Sequence, residues 1–279
     1  MAKTNLIALE RCLGLTALSG ASLSCSSSSG NLFFSAGCVV IEYSPVPNKQ
    51  VAFYHVERPV SCVSVSDCGR YLAIGERGHH PCVSVWDVQK NVRLVSLPGH
   101  KQGIGCVSFS PDGEYLVTCG FKYDKQLLFW DWKSKNENTE NNVPVPLYKG
   151  KIGNKVHAVS FHESGDYFVT CGDRHLKFWN MEREVVVAAS AGRGKGKAHD
   201  KDKEQPRVIS LSGKPGSITE ALKDTVFMDV ICGSGPYNDT VYCTTSNGVL
   251  CAFHESRLMD KWLQVCYCML FYIANLHAI

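Results

Sequence analysis

Residues Gly99–Trp132, GHKQGIGCVSFSPDGEYLVTCGFKYDKQLLFWDW, decide how the chain folds. An earlier copy of the same phrase is VSVSDCGRYLAIGERGHHPCVSVWD (63–87), and a later one is VSFHESGDYFVTCGDRHLKFWN (159–180). The three share one register: Gly69, Gly113 and Gly165 mark a turn, Gly75, Gly120 and Gly172 close the next segment, and Trp86, Trp130 and Trp179 end it. In the middle copy the alternating CVSFS, the Pro-Asp-Gly at 111–113 and the apolar YLVTC predict a hairpin, with Leu127–Trp130 as a third strand. Tryptophan intervals of 44 and then 49 residues, built from short strand-like runs, have the period of a β-propeller blade array. The predicted fold class is all-β.

Outward from these copies the pattern weathers. Leu13–Tyr43 reads as an unequal first unit, with a strand at Leu15–Leu18, a serine-rich loop Ser24–Ser29, and an outer strand Val51–Val56 after Pro45 and Pro47. The polar run Lys133–Asn142 predicts an exposed loop, and Val143–Tyr148 an edge strand that tolerates its two prolines. Ser190–Gln205 holds no large apolar residue and predicts a solvated insertion. Ser217-Ile-Thr-Glu220 has capping-box spacing, which predicts a short helix over Ile218–Lys223 before a strand at Thr225–Ile231. Thr240–Thr245 and Val249–His254 flank Asn247-Gly248, a hairpin signal. The whole of 1–264 then divides into blade-like units near 13–56, 60–98, 99–148, 155–211 and 225–263, followed by an anomalous apolar tail, 265–279. Closed propellers typically hold about 4–8 blades, so about five units are compatible with a small closed ring.

With 279 residues, 44% of them hydrophobic and 20% charged, the chain can bury a substantial core. A net charge of +3 is too slight to argue for nucleic acid. Fourteen cysteines could frame disulfides, yet Cys62, Cys106, Cys119, Cys171, Cys243 and Cys251 sit inside strand-like runs, as small buried hydrophobes of a reducing compartment do. Glu10 and Arg11 interrupt the first apolar residues, so no signal-peptide core forms and the cytoplasm is expected. The tail, as a helix, would cover about 22 Å against a hydrocarbon core of about 30 Å, which argues against a membrane anchor.

Candidate chemistry is sparse. There is no Cys-x-x-Cys pair, and His79-His80, adjacent in sequence, are expected to point apart rather than share a metal. No nucleophile, base and orienting group form a recognisable set, so neither catalytic nor cofactor residues are assigned, and no enzyme activity or small-molecule substrate is expected. Residues 193–203 alternate glycine with Arg and Lys; a nucleic-acid-binding loop there is kept as an alternative, although Asp200, Asp202 and Glu204 offset its charge.

The middle copy resembles a WD-repeat blade, in which a Gly-His histidine, a strand hydroxyl, a turn aspartate and a tryptophan are hydrogen-bonded together. The matching residues are His100, Thr118, Asp124 and Trp130. The third copy keeps Thr170, Asp173 and Trp179 without a preceding Gly-His, and the first keeps only Trp86. LERCLGLTAL (9–18), SAGCVVIEYSPVPNKQ (35–50), GRYLAIGERGHHPCVSVWDV (69–88), FVTCGDRHLKFWNM (168–181) and SNGVLCAFHESRLMDKW (246–262) further resemble the start of the mitogen-activated protein kinase-binding protein family, which includes a spindle-pole paralogue. The resemblance covers roughly 9–264, and it implies that the five units are an incomplete portion of a larger propeller. It implies a non-catalytic scaffold whose partners are proteins, namely kinases of the c-Jun N-terminal kinase pathway or spindle-pole and microtubule-associated proteins. It also implies a place in the cytoplasm, at the cytoskeleton, centrosome or spindle pole. Because the tail resembles nothing in that family, a truncated scaffold fragment is the alternative expectation. Contact residues are expected in the blade-top loops, at Arg77, His79, His80, Phe121, Lys122 and Tyr123.

Overall fold

The computed structural model describes residues 9–134, 144–184, 208–254 and 259–265. They form five four-stranded antiparallel sheets, each a meander in which consecutive strands pair. Sheet one holds β1 (Leu23–Cys25), β2 (Leu32–Ala36), β3 (Val39–Ser44) and β4 (Lys49–His55); sheet two holds β5 (Val60–Val65), β6 (Tyr71–Glu76), β7 (Val83–Asp87) and β8 (Val92–Leu97). Sheet three holds β9 (Ile104–Phe109), β10 (Tyr115–Gly120), β11 (Gln126–Asp131) and β12 (Tyr148–Lys151); sheet four holds β13 (Val156–Phe161), β14 (Tyr167–Gly172), β15 (His175–Glu184) and β16 (Val208–Pro215). Sheet five holds β17 (Phe227–Cys232), β18 (Thr240–Thr245), β19 (Val249–His254) and β20 (Met259–Gln264). The first strands lie side by side in order, β1 on β5, β5 on β9, β9 on β13 and β13 on β17, so the sheets stand as successive blades of a partial β-propeller.

Side-chain alternation explains why the strands read as nearly unbroken apolar runs. Every residue of β10 is buried: Tyr115, Val117 and Cys119 turn toward sheet four, while Leu116 turns toward sheet two. Among the described residues the core divides into four clusters, and each fills the space between two successive sheets. No strand of sheet five packs comparably against sheet one. Leu13, Leu15, Leu18 and Leu23 are accordingly exposed beside sheet one, and Trp262 and Leu263 on β20.

Several expectations are corrected. Leu15–Leu18 is not a strand; the innermost strand of sheet one is the shorter Leu23–Cys25, drawn from the serine-rich stretch, and it follows a 3₁₀ turn at Gly20–Ser22. That turn touches β5, β9 and β13, with Ala21 against the clusters of sheets two to four and Ser22 Oγ donating to Ser61 O at 3.3 Å. Small residues are what fit where several inner strands converge. Residues 218–223 do not form an α-helix: only a 3₁₀ turn, Glu220–Leu222, forms, and its N-cap Thr219 makes no side-chain cap bond. The edge strand of sheet three begins at Tyr148 rather than 143, leaving Pro144 and Pro146 outside the ladder, where a missing N–H is harmless. The insertion 190–205, residues 135–143 and the tail after Val265 lie outside the described residues.

Phe168 stacks on Phe129 at 6.2 Å and on Trp179 at 6.0 Å between sheets three and four. Its truncation to alanine is expected to cost about 3–5 kcal/mol in urea denaturation followed by circular dichroism. Val46→Ala, at a side chain 97% exposed, should stay within about 0.5 kcal/mol. Equal midpoints for the two variants would contradict the interface as the source of stability.

Candidate functional site: blade networks and the loop face

Thr118 is the hub of sheet three. Its Oγ1 accepts the Trp130 indole N–H at 3.1 Å and lies 2.8 Å from His100 Nε2, while His100 Nδ1 bonds the Asp124 carboxylate. A carboxylate only accepts, so Nδ1 carries the ring proton. Nε2 is then free to accept the Thr118 hydroxyl, and every buried group has a partner. Asp124 also accepts the Lys101 N–H at 3.2 Å, which ties the loop leading into the sheet to the turn between β10 and β11. Gly120 makes room for this: a Cβ there would sit 2.2 Å from Asp124 Oδ2. All four residues singled out in the sequence therefore meet.

Sheet four reaches a similar result by another route. Thr170 Oγ1 accepts the Trp179 N–H at 2.9 Å, but its second partner is His175 Nε2 at 2.8 Å, contributed by β15. Asp173 does not join this pair; it bonds His157 Nε2 at 2.8 Å. The expected grouping of Asp173 with Thr170 and Trp179 is thus corrected. Without a Gly-His loop, the imidazole comes from the first residue after the tight turn at Asp173-Arg174. His175 was legible as the one histidine opening the third copy's last strand, yet spacing taken from the middle copy pointed elsewhere. In sheet two Trp86 donates to Ser84 Oγ at 3.1 Å and packs edge-on to Tyr54. Sheet one uses Glu42, 6% exposed, which accepts from Tyr54 Oη at 2.8 Å and Asn31 Nδ2 at 2.7 Å. A lone carboxylate inside the apolar run VVIEY was the signal for it.

The loops at one end of the blades form a continuous chain of backbone bonds. Arg77 N–H donates to Pro59 O and His80 N–H to Lys101 O, both at 2.9 Å; Phe121 N–H donates to Gly103 O, Ile152 N–H to Lys125 O and Asp173 N–H to Lys155 O, again at 2.9 Å. The Arg58 guanidinium grips the carbonyls of His79 and His80. His79 and His80 do not point apart: their rings lie 4.2 Å from each other. No cluster of three metal-ligating side chains occurs among the described residues. Phe121 packs beneath Gly103, whose φ of 146° suits glycine and where a Cβ would come within 2.6 Å of the ring; Lys122 and Tyr123 are left projecting outward.

Burial shapes the titratable groups. It pushes the Cys62, Cys171 and Cys243 thiols well up, Cys232 to about 12 and Cys251 to about 11, so none supplies a thiolate near neutrality. Burial also raises the Glu76 carboxyl. At the other end of the blades a cleft of about 560 Å³ lies between sheets two and three, lined by Arg70, Tyr71, Lys90 and Trp132. No described helix is long and apolar enough to cross a membrane.

Burial, and secondarily Lys177, pushes His175 down from 6.5 to about 4. A histidine harder to protonate when folded contributes stability that is complete above about pH 6.5 and is lost as pH falls toward about 4, roughly 3 kcal/mol across the window. His175→Gln should flatten the pH dependence of the urea midpoint there; an unchanged slope would refute this role. Thr118→Val, which strands an indole N–H and an imidazole, should cost about 2–4 kcal/mol in the same assay, against less than about 1.5 kcal/mol for Ser84→Ala.

The WD domain, G-beta repeat, matches residues 48–87, 91–131 and 143–180. WD repeat-containing protein 62 of Mus musculus is 32% identical over 262 residues, 94% of this chain and 16% of that protein. Mitogen-activated protein kinase-binding protein 1 of Homo sapiens is 36% identical over 260 residues, 93% of this chain and 16% of that protein. Cilia- and flagella-associated protein 52 of Sus scrofa is 26% identical over 177 residues, 62% of this chain and 28% of that protein. The chain thus spans about a sixth of the length of the first two relatives. Repeats, sheets and relatives agree: the chain belongs to the WD-repeat proteins, and is related along nearly all of its length to WD repeat-containing protein 62 and mitogen-activated protein kinase-binding protein 1.

Proposed function

We infer that the chain is a non-catalytic scaffold that docks proteins on the loop end of its blades, assembling mitogen-activated protein kinase signalling components or spindle-pole proteins at the cytoskeleton. The observation that carries this reading is the backbone-linked loop face, which holds Arg77, His79, His80, Lys122 and Tyr123 on one rigid support. Proteins of this repeat type generally act as interaction platforms rather than enzymes, and loops on a stiff scaffold are where such platforms bind. Of the relatives, one is named for binding a mitogen-activated protein kinase and another for cilia and flagella, which supports a kinase or cytoskeletal partner here. The buried, protonated thiols offer no nucleophile in competition with this reading.

Affinity capture from cells with the chain as bait is expected to recover a defined set of proteins that includes a mitogen-activated protein kinase or a spindle-pole component. The Arg77→Ala/Tyr123→Ala variant should lose that set without a change in its melting curve. Recovery no different from empty beads, or a set indifferent to the loop variant, would overturn the docking role of this face.

A further inference from the structure

The slight net charge of the chain conceals an uneven distribution. In a four-stranded meander, the segment leading into the first strand and the turn joining the second and third strands lie at one end of the sheet. The remaining turns lie at the other. Across sheets two to four the first end exposes Lys101, Lys122, Lys125, Lys151 and Arg174, with Arg58, Arg77 and Lys155 half-buried among them. The carboxylates on that end are largely spent. Asp124 is buried on His100, Glu76 is buried beside Cys82 N–H and Asp173 is engaged by His157, while Glu57 and, after sheet four, Glu220 and Asp224 are exposed. Among the described residues no carboxylate lies within 4.0 Å of any of the five lysines; Arg174 reaches Asp224 at 4.0 Å, a pair 63% and 95% exposed. In the corresponding turns of sheets two to four the opposite end exposes Asp67, Asp112, Glu114, Glu163 and Asp166 beside Arg70, Lys90 and Lys133, so it carries no excess of cations.

Resting on the docking role inferred above, we propose that this cationic loop face of sheets two to four binds an acidic segment of a partner protein. Charge complementarity selects the partner, and the backbone bonds from Pro59 through Lys155 fix the cations before it arrives, which reduces the ordering cost of association. A single-stranded nucleic acid would want successive aromatic platforms, whereas here Tyr123, 78% exposed, is the one strongly exposed ring among the described loop residues of these three sheets outside the paired His79 and His80. A lipid surface would want several apolar side chains to insert, and among the described residues of these loops Tyr123 is the one exposed large hydrophobic side chain.

The test uses the full chain and a fluorescein-labelled oligoglutamate peptide, with oligoglutamine, oligouridine and phosphatidylserine vesicles as comparison probes. Oligoglutamate should bind in preference to all three. Lys101→Gln/Lys122→Gln/Lys125→Gln should weaken it roughly tenfold, an effect that shrinks as salt rises from about 0.05 to about 0.3 M. Arg70→Gln/Lys90→Gln/Lys133→Gln, with the same change in net charge at the other end, should leave it unaltered. Melting curves accompany both triples, and Lys151→Gln/Lys155→Gln provides a second pair if the first variant fails to fold. Equal loss from both ends, no loss from the loop face, or tighter binding of oligouridine or vesicles overturns the proposal. If oligoglutamate fails while cellular capture persists and still depends on Arg77 and Tyr123, only the acidic-partner inference falls.

Discussion

A blade of this fold has two faces to bury and nothing of its own to bury them with. Each sheet is four strands thick in one direction and a single layer in the other, so its inward-turned and outward-turned residues alike depend on neighbouring sheets. That constraint writes the sequence: Leu116 and Cys119, three residues apart on β10, serve different interfaces. At roughly 1.5–3 kcal/mol for each large side chain removed from water, the interfaces outweigh any single hydrogen bond. It also explains where apolar side chains stay exposed, since sheets one and five each have one face with no partner among the described residues, and their leucines and Trp262 are in water.

The polar networks are secondary to this packing, and their variation shows it. A threonine hydroxyl on the second strand receives the tryptophan indole in sheets three and four, and only the source of the imidazole differs, a loop in one and the next strand in the other. Sheet two substitutes a serine, and sheet one dispenses with tryptophan in favour of Glu42 and Tyr54. What must be preserved is a satisfied partner for each buried polar atom rather than a particular residue. The pattern departs furthest in sheet one.

The parts of the fold legible in the sequence were those that repeat. Turn glycines, strand alternation and tryptophans located β5–β7, β9–β11 and β13–β15, because each copy checks the others. Asn247-Gly248 located one more hairpin by its turn chemistry alone. The failures fall where a single copy had to stand by itself. Leu23–Cys25 was hidden in a serine run whose composition says loop, yet Ser26, at its end, is 1% exposed through tertiary contact with sheet two. The capping-box spacing at 217–220 was a local signal overridden by the need to lead directly into β17. At the candidate site the loops were legible as irregular, charged insertions. Their union into one cationic face was not, because it depends on which end of each sheet a loop occupies, and that is a property of topology.

The 3₁₀ turn at Gly20–Ser22 gives the chain a direction in time. It rests on β5, β9 and β13, so its seat is complete only once the chain through residue 161 has folded. Sheets two to four can assemble in the order of synthesis, each on the one before, while the 3₁₀ turn waits for the last of them. The turn therefore docks fully only after the strands it touches, although it precedes them in the sequence.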